Sequence, residues 1–170
     1  MHNLVKEFME VYGQLPNTMS EEATYNLRVA LIEEEANELD AAASDIEELD
    51  ALVDLAYVVY GAYYALGIPM IDPEHIEEAK TLDCAKTDII DMALAVEKET
   101  IDQDLDGILT LIYSYTKDIN FEGAFREVHR SNMSKLGTDG RPVRRLDGKI
   151  LKGPNYSKPR LEPFVQKKSS

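Results

Sequence analysis

Two groups of carboxylates, on two neighbouring predicted helices, are the residues of this sequence best suited to chemistry. Glu34, Glu35 and Glu38 lie within one turn of each other, so they project from one face of a helix. Asp50 and Asp54 lie four positions apart and share a face of the next predicted helix. Carboxylate oxygens of this kind suit a hard divalent cation such as Mg²⁺, which usually also contacts substrate phosphates.

The surroundings of Asp54 favour a metal site over a solvated acidic surface. Asp54 lies in a stretch that is apolar nearly all round, where an unpaired carboxylate is costly to desolvate. Residues 29–79 contain 14 carboxylates and no Lys or Arg, so the neighbouring sequence offers no cation. The alternatives are a protonated Asp54, or an ion pair with Arg28, Arg130 or Lys135. The run of Glu residues alone would favour a solvated stripe.

Charge is distributed unevenly along the 170 residues, whose formal net charge is −14. Residues 1–125 contain 6 Lys or Arg and 28 Asp or Glu, whereas residues 126–170 contain 12 and 4. The acidic part would repel nucleic acid, and residues 126–160 contain a single aromatic residue, Tyr156. We therefore expect no stable nucleic-acid binding. Cations that face an acidic metal site would instead hold a polyphosphate.

Helices must position these residues, because Gly and Pro are sparse before residue 137 and no segment alternates as a strand does. The stretch 137–170 is basic and rich in Gly and Pro, which indicates loop structure. We expect one all-α domain over residues 1–170, a helical bundle with a helical insertion at 73–118. Helical spacing predicts helices over 4–12, 20–43, 46–66, 73–98 with a break near Leu82, 103–117 and 121–135.

The insertion has two interpretations. Segments 31–67 and 89–121 have similar helix lengths and share a Leu-Asp opening, which is compatible with a degenerate internal repeat. Two unrelated amphipathic helix pairs would give the same pattern. In a repeat, the carboxylates of the first copy would align with apolar or neutral residues of the second, namely Met92, Ala93, Val96 and Thr110.

Three absences point to a cytoplasmic protein. No apolar run reaches the roughly 18–20 residues of a membrane span. The N-terminus lacks a basic region followed by an apolar stretch, so it does not read as a secretory signal. Cys84 is the single cysteine, which excludes a disulfide within one chain. We expect a cytoplasmic location and no membrane partner.

Ordered motifs in residues 1–70 and 120–160 carry a family resemblance. They are Phe8-x-x-x-Tyr12-Gly13, Leu31-Ile32-x-Glu34-Glu35-x-x-Glu38, Asp50-Ala-Leu-Val-Asp54-Leu-Ala-Tyr57, Glu127-Val-His-Arg130-Ser-Asn132-Met-Ser-Lys135, and Asp147-Gly-Lys149-Ile-Leu-Lys152-Gly-Pro154. The sequence resembles the all-α nucleoside triphosphate pyrophosphohydrolases, the MazG and phosphoribosyl-ATP pyrophosphohydrolase-like superfamily, and most closely its short phage and bacterial members.

The resemblance implies hydrolysis of a nucleoside triphosphate to the monophosphate and pyrophosphate, and we expect a deoxynucleotide as the substrate. It also implies Mg²⁺ as the cofactor, with Mn²⁺ able to substitute for it. It implies that Glu35, Glu38 and Asp54 are metal ligands and that Glu34 orients or deprotonates the attacking water. The family's second motif has Glu where this chain has Ala51, and Asp50 would take its place. Phe8 and Tyr12 would border the base. The residues implied to hold phosphates are Arg130, Asn132, Lys135, Lys149 and Lys152.

The resemblance also implies a homo-oligomer, and we expect a dimer. If the insertion 73–118 acts as an internal pseudo-subunit, the assembly should be smaller than in the short family members. Two alternative functions remain. One is a catalytically inactive acidic binding module, which Ala51 keeps open, and the other is a phosphoribosyl-ATP pyrophosphohydrolase. No motif encodes the choice of base.

Overall fold

The computed structural model describes residues 1–69, 81–143 and 150–165, and every regular element within these ranges is an α-helix. The expected all-α fold is confirmed. The helices are α1 (His2–Val11), α2 (Glu21–Ala41), α3 (Asp45–Leu66), α4 (Lys86–Leu94), α5 (Ile101–Tyr115) and α6 (Phe121–Met133).

Capping residues set the ends of the two helices that carry the carboxylates. The Ser20 hydroxyl accepts a hydrogen bond from Ala23 N (3.2 Å) at the start of α2, and the Ser44 hydroxyl accepts one from Glu47 N (3.3 Å) at the start of α3. Gly67 ends α3 in the left-handed region at φ 67°, a conformation that favours glycine. These local signals place α2 and α3 as the sequence predicts.

Helix α3 is the core helix, and it packs against α1, α2, α5 and α6. Its length and composition alone would let it cross a membrane, but 67% of its most apolar window is buried inside the protein. The short connection 42–44 makes α2 antiparallel to α3, and these two helices form the most extensive contact between elements. The face of α2 that meets α3 therefore determines what α3 can hold.

The insertion folds back onto the same two helices. Helix α4 packs against α2, α5 packs against α3, and α4 and α5 pack against each other. Tyr60 and Tyr113 share a hydrogen bond between their hydroxyls (2.6 Å), and the Tyr115 hydroxyl donates to Glu48 (2.8 Å). These contacts tie the described part of the insertion to α3.

The predicted helix over 73–98 is wrong in part. Within the described residues the helix begins at Lys86 and ends at Leu94, and the predicted portion 73–80 lies outside the described residues. The chain turns after Leu94 because the Asp104 carboxylate accepts hydrogen bonds from Glu97 N (3.0 Å) and from the Thr100 hydroxyl (2.8 Å). The backbone is thus bound by the next helix rather than by a further helical turn.

The segment after α6 has loop structure where it is described, and side chains of α6 hold it. Glu127 accepts a hydrogen bond from Arg160 N (2.8 Å), and Ser134 Oγ accepts one from Ser157 N (2.9 Å). Leu161 is buried in the core at 2% exposure. The basic segment therefore lies on the helical body over this part of its length.

Candidate active site

The antiparallel packing of α2 on α3 produces a pocket of about 240 Å³, which we call the α2–α3 pocket. Glu35 of α2 and Asp54 of α3 both line it, and Phe8, Asn132 and Lys135 contribute from α1 and from the end of α6. Two of the predicted metal ligands are thus brought to one cavity. Polar and aromatic residues from α1 and α6 also line this cavity.

Five carboxylates lie close enough to influence one another, and we call them the carboxylate cluster. Burial raises the pKa of Glu35 to about 8, and the charges of the other members act in the same direction. Burial also raises the pKa of Asp54 to about 7. The members of the cluster are Glu34, Glu35, Glu38, Asp50 and Asp54.

Exposure differs across the cluster. Asp50, Asp54 and Glu35 are half-buried, whereas Glu34 and Glu38 are exposed at the rim. The pKa of Asp50 is raised, first by burial and then by the charge of Glu38. Within the described residues no member of the cluster forms a hydrogen bond or an ion pair through its carboxylate. The three half-buried groups therefore favour protonation or a cation from solution.

The donor set fits a hard divalent cation. All five predicted groups are carboxylates, the ligands that Mg²⁺ and Mn²⁺ prefer. Across the described ranges, no three His, Cys, Asp or Glu side chains are already arranged so that they could hold a metal ion. Mg²⁺ is commonly bound through one or two carboxylates together with substrate phosphates and water, rather than in a complete protein cage. The pocket suits that second mode.

Lys135 and Asn132 add polar groups to the wall of the pocket. The Lys135 ammonium donates a hydrogen bond to Asn132 Oδ1 (2.7 Å), and both residues line the pocket. The charge of Lys135 lowers the pKa of Asp50 and of Asp54 and so opposes the effect of burial. An ammonium and an amide beside carboxylates are suited to binding a phosphate that reaches the site with a cation.

Aromatic side chains form the middle of the pocket wall. Phe8 and Tyr57 both line it, and their rings meet edge to face with centroids 5.5 Å apart. Tyr12 is fully buried, stacks on Phe8 at 4.2 Å and donates a hydrogen bond to the Asn132 carbonyl (2.9 Å). The structure therefore brings Phe8 to the pocket and places Tyr12 behind it. The sequence analysis did not assign Tyr57.

Arg130 and Lys152 are not brought to the pocket. Two hydrogen bonds of 2.8 and 2.7 Å join Arg130 to Glu127, and the Arg130 guanidinium also donates to the Lys158 carbonyl (3.0 Å). The ammonium of Lys152 lies 4.7 Å from the centre of the Tyr156 ring. Arg130 thus anchors the segment that follows α6. Lys149 lies outside the described residues.

Arg28 lines the pocket, and sequence reasoning considered it only as an ion-pair partner of Asp54. No such pair with Arg28 or Arg130 forms in the part of the chain that the structure describes. The signal in the sequence was the position of Arg28 seven residues before Glu35, which is two helical turns and therefore the same face of α2.

Comparisons with known proteins agree with this geometry. The phosphoribosyl-ATP pyrophosphohydrolase family matches residues 5–80, a range that contains the whole carboxylate cluster. The match bears out the resemblance over residues 5–80, which are similar to this family, a part of the all-α MazG-like superfamily. The matched family is thus one of pyrophosphohydrolases.

A curated relative extends the similarity beyond the matched range. An uncharacterized protein of Acanthamoeba polyphaga mimivirus is 29% identical over 178 residues, which cover 79% of this chain and 70% of that protein. No solved structure matches the chain significantly. The relative's similarity therefore reaches past α3, although its name assigns no activity.

Proposed function

We propose that the protein is a metal-dependent nucleoside triphosphate pyrophosphohydrolase, which converts a deoxynucleoside or nucleoside triphosphate to the monophosphate and pyrophosphate. One observation carries the proposal. The matched segment brings Glu35 and Asp54, which have no partner among the described residues, to a pocket that Lys135 and Asn132 also line. Acidic groups for a cation and basic or amide groups for phosphate oxygens are what hydrolysis of a polyphosphate needs.

Each group then has a defined task. Glu35, Glu38, Asp50 and Asp54 would share two or more Mg²⁺ ions, with one or two carboxylates to each ion, and the ions would supply charge neutralisation on the phosphates when bound. Glu34 is exposed at the rim and would orient or deprotonate the water that cleaves the bond between the α and β phosphates.

Lys135 and Asn132, which line the same pocket, would bind phosphate oxygens. Their side chains are already joined by a hydrogen bond of 2.7 Å, so the pair is held in place before substrate arrives. Phe8, which is half-buried, would border the base, and the buried Tyr57 meets its ring edge to face. Hydrolysis consumes one water and releases pyrophosphate as the leaving group.

A second substrate of the same class is favoured by the family match itself. The matched family is described by its action on phosphoribosyl-ATP, in which the same α–β phosphate bond is cleaved. The residues of the carboxylate cluster would serve either substrate equally. The distinction lies in the part of the pocket that holds the base and sugar.

Product analysis tests the proposal. The purified protein is incubated with Mg²⁺ or Mn²⁺ and a panel of ribo- and deoxynucleoside triphosphates, dUTP and phosphoribosyl-ATP, and products are separated by anion-exchange chromatography. We expect monophosphate and pyrophosphate from one or two of these substrates. Absence of turnover with every substrate and both metals would contradict the proposal and favour an inactive acidic binding module.

We further propose a cytoplasmic location and a homo-oligomer, most simply a dimer. The described part of the insertion packs on α2 and α3 of its own chain. If these contacts take the place of a partner subunit, the chain will be smaller in solution than a tetramer. Light scattering of the purified protein measures this directly, and a tetramer would contradict an internal pseudo-subunit.

A further inference from the structure

Arg28 is a buried cation for which the described residues provide no polar partner. The residue is 6% exposed, and its Nε is buried with no hydrogen bond in the described part of the chain. No carboxylate of these residues pairs with it. Burial lowers its pKa, but a guanidinium still keeps its charge at neutral pH. A buried charge of this kind is costly unless something in the working protein binds it.

The fold makes room for this guanidinium at Gly61 of α3. A Cβ at Gly61 would lie 3.1 Å from Arg28 Nη1 and 3.4 Å from Met9 Sδ, so a larger residue would press on the guanidinium. A helix with glycine in its middle is less stable than the same helix with alanine at that position. Both Arg28 and Gly61 line the α2–α3 pocket. The space above Gly61 thus accommodates the guanidinium at the wall of the pocket.

Arg28 and Gly61 are separated from the carboxylate cluster along the axes of α2 and α3. Arg28 precedes Glu35 by seven residues, which is about 10.5 Å along the axis of α2. Gly61 follows Asp54 by the same number of residues on the antiparallel α3. The pocket therefore has the cluster at one end and Arg28 at the other. Tyr57, which lies between Asp54 and Gly61 on α3, lines it between these ends.

Electrostatics support the separation. The charge of Lys135 lowers the pKa of Asp54, whereas Arg28 is absent from the described groups that influence it. Lys135 therefore belongs to the phosphate end, where the cation and the scissile bond would lie. Arg28 would face the opposite end of a nucleotide, which is the base.

We propose that Arg28 selects the base of the nucleotide by donating paired hydrogen bonds to two adjacent acceptors on its edge. This inference rests on the proposed function. Guanine offers O6 and N7 as such a pair, and cytosine offers O2 and N3. Adenine presents an amino donor beside N7, which leaves part of the guanidinium unbound. The site therefore favours guanine or cytosine nucleotides over adenine nucleotides.

The test compares base selection in the wild type, Arg28→Met and Arg28→Lys. Values of kcat/KM are measured with Mg²⁺ for dGTP, dCTP and dATP. We expect the wild type to prefer dGTP or dCTP to dATP, and Arg28→Met to lose about 10- to 100-fold on the preferred substrate and little on dATP. Arg28→Lys should retain part of the preference. The matched control is Arg126→Met, which changes an exposed arginine of α6 and should alter no value.

Inorganic tripolyphosphate, which has no base, separates a base contact from a phosphate contact. It is used as a competitive inhibitor of the wild type and of Arg28→Met. An unchanged inhibition constant supports the base contact. An equal loss for dGTP, dATP and tripolyphosphate would show that Arg28 binds phosphate and would overturn the inference, as would an Arg28→Met enzyme with the wild-type order of substrates.

Equilibrium binding keeps this inference distinct from the proposed function. Dissociation constants of the α,β-methylene analogues of dGTP, dCTP and dATP are measured by calorimetry with Mg²⁺. A base preference that Arg28→Met removes supports the inference even if no nucleotide is hydrolysed, in which case the proposed function alone fails. Binding without base preference in the wild type overturns the inference. Circular dichroism and thermal unfolding confirm that each variant is folded.

Discussion

The helix pairs α2–α3 and α4–α5 differ in whether the protein itself provides hydrogen-bond partners for their carboxylates. In the second pair three of the five carboxylates have partners: Asp106 accepts from the Tyr63 hydroxyl, Asp104 from the Thr100 hydroxyl, and Asp88 from Ala85 N. In the first pair the carboxylate cluster has no such partner among the described residues, and the pKa values of its half-buried members are raised. The second pair stabilises the fold, whereas the first keeps charges available for a ligand.

The same contrast exists within α3 itself. Glu48, near its start, accepts a hydrogen bond from Tyr115 and lies 3.4 Å from the Lys86 ammonium. Asp54, less than two turns further along, faces the pocket with like charges around it. One helix thus serves both regions, and its two faces differ in whether carboxylates are neutralised by the chain.

The largest expected effect is on turnover and separates the two regions completely. Asp54→Asn removes a charge that the proposed metal requires and should lower kcat/KM at least about 100-fold, since even indirect support of a metal ligand is worth 10- to 100-fold. Asp106→Asn removes a carboxylate of α5 and should leave turnover intact. Initial rates with saturating Mg²⁺ measure both. Equal losses in the two variants would break the distinction between the regions.

The second expected effect concerns Lys135, the cation that lines the pocket together with Glu35 and Asp54. Lys135→Met should reduce kcat/KM by roughly 10- to 100-fold, because a hydrogen bond to a charged group is worth about 1.5–3 kcal/mol. Lys86→Met is the matched control, since Lys86 pairs with Glu48 outside the pocket. Steady-state kinetics on the preferred nucleotide check this. Wild-type kinetics in Lys135→Met would show that Lys135 does not bind phosphate.

The third expected effect is on stability: loss of the pocket carboxylate should stabilise the fold, whereas loss of a hydrogen bond in the other region should destabilise it. Without metal, Asp54→Asn relieves like-charge repulsion and burial of a charge, so we expect a higher Tm, about 2–4 °C for each kcal/mol gained. Tyr63→Phe removes the donor to Asp106 and should lower the free energy of unfolding by about 1 kcal/mol. Thermal unfolding in chelator-containing buffer compares the two. A lower Tm for Asp54→Asn would mean that its carboxylate stabilises the fold.

The smallest expected effect comes from Gly61→Ala. The added methyl would lie 3.1 Å from Arg28 Nη1, so the guanidinium has to move by a few tenths of an ångström. We expect a loss of base discrimination smaller than that of Arg28→Met, with tripolyphosphate inhibition unchanged. Gly107→Ala, in α5 of the other region, should leave discrimination as it is. The ratio of kcat/KM for the preferred nucleotide and dATP measures the effect.

Local signals let the sequence predict the helices that carry the cluster. Ser20, Ser44 and Gly67 fix their ends through contacts within four residues, and Asp54 was distinguished by its apolar neighbours. The end of α4 was mispredicted because it depends on Asp104, which binds backbone across a turn. Periodicity carries no information on such a contact.

Tertiary contacts determine which basic residues reach the pocket. From the sequence, these residues could be assigned to phosphate binding only by their residue type. Arg130 is held by Glu127 and by the Lys158 carbonyl, a partner 28 residues away, while Lys135 reaches the pocket. The setting of Arg28 depends on Gly61 of another helix. A charge on the right helix face was visible in the sequence, but its surroundings were not.

Binding of Mn²⁺ to the wild type and to Asp54→Asn, followed by electron paramagnetic resonance in the presence of an α,β-methylene nucleotide, tests the central claim most directly. The claim is that the carboxylate cluster holds the divalent cation used on the nucleotide. We predict saturable binding in the wild type and in Asp106→Asn, and its loss in Asp54→Asn. Saturable binding that is equal in all three proteins, or no binding in any, would contradict the claim.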